Sequence, residues 1–247
     1  MSDLTTKDFK IATCQLSLFH SAISLPRSGL LKEVLTKFGD LFDGDPMSFP
    51  IPNDAPAEIP RVILTNKNPN NKLEICLNRT NLSQNDLLNG AEISAHDFFK
   101  KNKTNYHDFL NIIQSKVHRL AGVVIRYAFC ENPGLFLARH FCHNKWDKEP
   151  FNRPESFELH SHKTFNLFEK QGHAPLIVNS WVRCKSGFRK EEGGGTSKIV
   201  LVEQDINTLQ DANVLKTFSP QEIDDFFKAI PEKFDEIMKL YFPEGQA

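Results

Sequence analysis

Two short runs contain histidines at spacings that could hold a metal. RHFCH (139–143) brings His140, Cys142 and His143 close together, and LHSH (159–162) places His160 and His162 two residues apart. On a β-strand that interval puts both imidazoles on one face, and a third ligand from RHFCH would complete a site. Against this, Cys142 and His143 are adjacent and project in different directions, and the combined spacing matches no established ligand pattern. The favoured reading is that no metal or other cofactor is bound, with His140, His160 and His162 the residues that would be needed for one. In that reading His160 and His162 lie on a polar strand face and Cys142 packs.

The run Gly193, Gly194 and Gly195 could cradle a phosphate only if it opened a helix, where free amides and the dipole converge. Here it leads into KIVLVEQ, which is strand-like, so a hairpin tip is expected. No G-x-S-x-G, P-loop or H-E-x-x-H pattern is present. Ser180 in VNSW falls inside an expected strand, with no elbow to expose it as a nucleophile.

Arginines at 61, 79, 126 and 183 each interrupt an expected strand. A guanidinium among apolar neighbours needs a carboxylate or carbonyl partner, because burying an unpaired charge is costly. Asp205 in VEQDINT is the expected partner for Arg126, the two strands lying side by side with both charges on one face. A structural ion pair is the favoured reading. The alternative is a polar binding patch drawn from Arg61, Arg79, Arg126, Asn179, Trp181 and Asp205.

Hydrophobic periodicity supplies the elements that would position these groups. A first strand is expected over 9–19, with Cys14, Leu16 and Leu18 on one face, followed by an amphipathic helix over 28–43. Five prolines between 43 and 60 rule out a helix there and leave an extended connection. Runs at 61–67 and 72–80 read as a hairpin around NPNN. A helix at 94–116 has Ser94 as its N-cap and Phe98, Tyr106, Phe109, Ile113 and Val117 along its apolar stripe. Residues 118–130 are strongly strand-like, with Val123, Ile125, Tyr127 and Phe129 sharing a side. A short helix at 134–143 and strands at 155–168, 175–189 and 197–206 follow. The final helix starts with Ser219, Pro220 and Glu222 as a capping box, and Pro231 is expected to kink or split it.

The order β-α-β-β-α-β-(α)-β-β-β-α predicts an α+β fold: a largely antiparallel sheet, or two half-sheets, with helices packed on one face. Each half runs strand, helix, strands, long helix, which suggests a pseudo-duplication. No linker divides the halves, about 1–117 and 118–247, so the chain reads as a single domain.

Composition narrows the partners. The chain has 30 basic and 31 acidic residues, so net charge does not indicate nucleic acid or an anionic membrane. Its 21 phenylalanines against 3 tyrosines and 2 tryptophans read as core filling. Five scattered cysteines, the absence of a signal-type N-terminus and the lack of a long apolar run point to the cytoplasm.

The sequence resembles a family of sporadically distributed, uncharacterised bacterial proteins of about this length. The resemblance rests on the first strand and helix, on residues 49–82, and on VVIRYAF (123–129), VNSW (178–181) and VEQDINT (202–208). After Arg126 and Tyr127, the run AFCEN follows the family pattern only loosely. The resemblance carries over no catalytic residues, and its patchy distribution implies a defence-linked or toxin–antitoxin locus. Three functions are therefore in view. The first is a non-enzymatic interaction or regulatory protein whose partner is another protein, encoded nearby or a second copy of itself. The second is a small-molecule or nucleotide sensor using the in-strand polar patch. The third is a metal-dependent hydrolase or nuclease using His160 and His162.

Overall fold

The computed structural model describes residues 4–52, 54–67, 70–85, 94–142, 154–168, 175–191, 194–209 and 216–244. His143 and Gly193 lie outside them.

Among the described residues nine strands form one antiparallel sheet: β1 (Lys10–His20), β2 (Met47–Ser48), β3 (Val62–Thr65), β4 (Asn71–Ile75), β5 (Arg79–Asn85), β6 (Val117–Phe129), β7 (Glu158–Asn166), β8 (Ile177–Lys190) and β9 (Thr196–Thr208). Their spatial order is β2-β3-β4-β5-β1-β6-β9-β8-β7. The helices are α1 (Arg27–Phe38), α2 (Ala95–Lys101), α3 (Lys103–Ile113), α4 (Pro133–Phe141) and α5 (Pro220–Tyr241).

The strand order makes the two halves topologically alike. β1 and β6 pair at the centre, and each is followed by a helix that carries the chain to a far edge. From there β2–β5 return to β1 as a meander, and β7–β9 return to β6 in the same way. The expected α+β order is present, with two strands added.

The first addition is β5. Alternation through Leu73, Ile75 and Leu77 suggests one strand continuing to residue 80. The chain instead turns after Ile75, where the Cys76 amide donates to the Arg79 carbonyl at 2.8 Å. The turn has no glycine or proline to mark it, and β5 itself (RTNLSQN) has a single large apolar residue. The second addition is the two-residue β2 within the proline-rich segment.

The expected 94–116 helix is divided at Asn102, whose side-chain amide donates to the Phe98 carbonyl at 2.9 Å and so competes with the helical ladder. Ser94 caps α2 as expected. α5 begins with the Ser219–Glu222 capping box and runs unbroken through Pro231, without the expected split.

All the described helices pack on one side of the sheet. Beneath them lie Cys14, Leu16 and Leu18 of β1, Leu120 and Val124 of β6, and Val200, Val202 and Ile206 of β9, all essentially buried. Gly122 permits the closest approach: a Cβ there would collide with Ile230 of α5 and come within 3.1 Å of Phe99. Val123, Ile125, Tyr127 and Phe129 do share a side, but it is the side facing away from the helices.

Candidate functional site

The open face of the sheet carries the polar residues that the alternation pushes away from the core. Register aligns His162 with Trp181, Trp181 with Asp205, and Asp205 with Val123. The next rung runs His160, Arg183, Glu203 and Ile125. Together these two rungs place a cation, two carboxylates, two imidazoles and an indole on one surface.

Trp181 is 46% exposed although it sits mid-strand, and the His162 ring stacks on it at 4.1 Å and 24°. The His162 Nε2 donates to the Asn179 side-chain Oδ1 at 2.9 Å. From there hydrogen bonds run across three strands. The Asn179 and Arg119 side chains both donate to Asn207 Oδ1, at 3.2 and 2.9 Å, and Asn207 Nδ2 donates to Asp205 at 2.9 Å. Asn207 is 2% exposed, so this network is fixed under the surface rather than solvated.

Beside it, Arg183 bridges Glu158 at 3.3 Å and Glu203 at 3.7 Å, and Glu158 also meets His160 at 2.8 Å. His160, Trp181, Arg183, Glu203 and Asp205 outline a recess of about 240 Å³. Burial holds the Asp205 carboxyl above the ordinary range, against the opposing pull of the Asn207 hydrogen bond and the Arg119 charge. The hydrogen bond from His160 holds Glu158 below its range.

Farther along the face, Phe19 lies between its cross-strand neighbours Arg79 and Arg119. Their guanidinium carbons sit 5.9 and 4.9 Å from the ring centre. Tyr127 carries the Arg189 guanidinium at 4.0 Å.

Of the six residues considered for a polar patch, Arg79, Asn179, Trp181 and Asp205 are therefore on this face. Arg126 is not. It points into the helix layer, 4% exposed, with one terminal nitrogen donating to Gln204 Oε1 and the other to Asp235 of α5 at 2.7 Å. The expected Arg126–Asp205 pair does not form. Arg61 stands apart near the β2 edge, bonded to the carbonyls of Ile59 and Ala55.

The three histidines do not assemble either. His140 belongs to the helix side, donating to the Tyr241 carbonyl at 2.7 Å and stacking on Phe242 at 4.9 Å, whereas His160 and His162 are on the open face. Among the described residues no three of histidine, cysteine, aspartate and glutamate group as metal ligands. Ser180 lies mid-strand in β8 and is 6% exposed. Gly194 and Gly195 sit between β8 and β9, where Gly194 has φ +85°, a turn conformation that favours glycine.

Sequence reasoning missed Arg119 and Asn207, which tie the network together. Their only signal was alternation: Asn207 shares its strand parity with Asp205, and Arg119 shares its own with Val123, Ile125, Tyr127 and Phe129. No described helix is long and apolar enough to cross a membrane. No protein-family model matches the chain, and no curated protein shows significant similarity to it.

Proposed function

We propose that this chain is a non-enzymatic recognition protein that binds another protein through the open face of its sheet. One observation carries the reading: helices cover a single face, and the other presents a half-exposed tryptophan over a buried polar network, beside a recess lined by Arg183, Glu203 and Asp205. Tryptophan and arginine are the residues on which binding energy concentrates at protein interfaces. The recess of about 240 Å³ is smaller than the ~300–1,000 Å³ of ordinary ligand sites, a size suited to one inserted side chain.

The setting implied by the family resemblance is a bacterial defence or stress system in the cytoplasm. There the partner is a protein encoded nearby, as in toxin–antitoxin pairs.

Native mass spectrometry of chain purified from its own host tests the reading. A stoichiometric protein companion is expected, retained by Arg27→Gln and lost in Trp181→Ala and Arg183→Glu. Its absence, or its retention by both face variants, would refute the proposal.

A further inference from the structure

The proline-rich segment between α1 and β3 lies against the start of α1 and the β4–β5 turn, and two arginines are among the groups that bond it. Arg27 donates to the Ile51 carbonyl at 2.9 Å, and Arg61 donates to those of Ile59 and Ala55 at 3.1 and 3.4 Å. The Cys76 thiol and Leu77 amide bond the same segment at Glu58 and Ala57. Beside these groups, between the start of α1 and the β4–β5 turn, lies a half-open cavity of about 410 Å³, within the range that holds small metabolites.

Its chemistry is one-signed. Arg27 and Arg61 both line it, and among the described residues no aspartate or glutamate does. Neither arginine forms an ion pair with a carboxylate among the described residues. Arg61 is only 7% exposed, and carbonyl dipoles satisfy donors without neutralising a full charge. A guanidinium has five N–H donors, and each of these two uses only part of that set on the strap. α1 adds the same sign, since it begins at the cavity wall with no side-chain cap and no acid in its first turn. Ile23, Leu25, Leu30 and Leu77 supply an apolar part of the wall, and Ser24 and Cys76 also line it.

We infer that this cavity binds a small organic anion, with a carboxylate or phosphate head on Arg27 and Arg61 and an apolar body against Leu25, Leu30 and Leu77. Planar guanidinium forks match either head group. The site is separate from the open sheet face and does not depend on the function proposed for it.

Calorimetric titration of the full chain tests this with three probes: inorganic phosphate, adenosine 5′-monophosphate and decanoate. At least one of the two anions with a body is expected to bind saturably, about tenfold or more tighter than inorganic phosphate, because the apolar wall adds to the head contact. Which of them binds tighter distinguishes phosphate from carboxylate as the native head.

Arg61→Gln is expected to abolish binding, but it also loosens the strap. Arg27→Gln and Ser24→Asp alter less buried positions at the rim and are expected to weaken binding about tenfold or more while the protein stays folded. Trp181→Ala is expected to bind the anion as the parent does. Failure of all three probes to bind below about 10 mM would overturn the inference. So would unchanged affinity in both rim variants, or loss of binding in Trp181→Ala.

Discussion

Arg126 and Asp205 stand on neighbouring strands and face opposite sides of the sheet. Register aligns Asp205 with Val123 and Arg126 with Val202, an odd offset that sends the two side chains apart. One charge therefore serves the packing of α5, and the other belongs to the open face.

The first prediction follows from the partner that Arg126 does have. Asp235→Asn leaves a buried guanidinium without its counter-charge and is expected to cost about 1–3 kcal/mol. The lower end is expected because the Asp235 side chain is 46% exposed and screened by solvent. Adding Arg126→Met is expected to recover part of that loss, whereas Arg126→Met and Asp205→Asn should add within about 0.5 kcal/mol. Urea unfolding of the single and double variants checks both cycles.

Phe227 of α5 is 2% exposed, lies near-parallel to Phe99 at 5.7 Å and touches Tyr106 at 5.3 Å. Phe227→Ala is expected to cost about 3–5 kcal/mol in denaturant unfolding. A loss under about 1 kcal/mol would show that α5 is peripheral to stability.

At Gly122 the sheet and α5 approach too closely for a side chain. Gly122→Ala is expected to destabilise by about 1–3 kcal/mol through overpacking against Ile230 and Phe99. Combining it with Ile230→Val removes the Ile230 Cδ1 that obstructs the new methyl group, so the pair is expected to be more stable than Gly122→Ala alone. Thermal melts of the three variants decide this, and a pair that shows no recovery would mean the helix is held off by other contacts.

Asp205 gives a pH dependence. Its carboxyl is raised by burial, so the folded state binds this proton more tightly than the unfolded chain. Its contribution to stability therefore falls as pH rises from the ordinary value of 3.8 through the raised one. Asp205→Asn removes that loss, so its melting temperature is expected to exceed the parent's at pH 7. The gap should close as pH drops below 3.8. A gap independent of pH would assign the effect to the Asn207 hydrogen bond instead.

Much of the fold was legible where burial imposes a period. Cys14, Leu16 and Leu18 marked the core face of β1, and Ser219 with Glu222 marked the start of α5. β5 was not legible, because Thr80 and Gln84 flank Leu82 on its core face and leave it one large apolar residue, and because its turn uses ordinary amino acids. Asn102 broke a helix through a side-chain hydrogen bond that no periodicity reveals. The site was half legible for a related reason. Alternation sorts residues of one strand into faces, and so brings Asn179 and Trp181 together. It cannot say which face of β6 matches which face of β9, because that needs the register between them. Arg126 was misplaced on that account alone.

β1 is the seam on which both halves of the sheet meet, and it precedes every strand it pairs with. Four strands and three helices separate it from β6. During synthesis the central strand is therefore made first and must wait, with Leu16 and Leu18 uncovered, for partners that arrive much later. Closure of such distant pairings is slow, and unpaired apolar strands aggregate while they wait. Shelter for β1 in that interval is therefore expected to raise the folded yield, which a stronger finished sheet does not by itself provide.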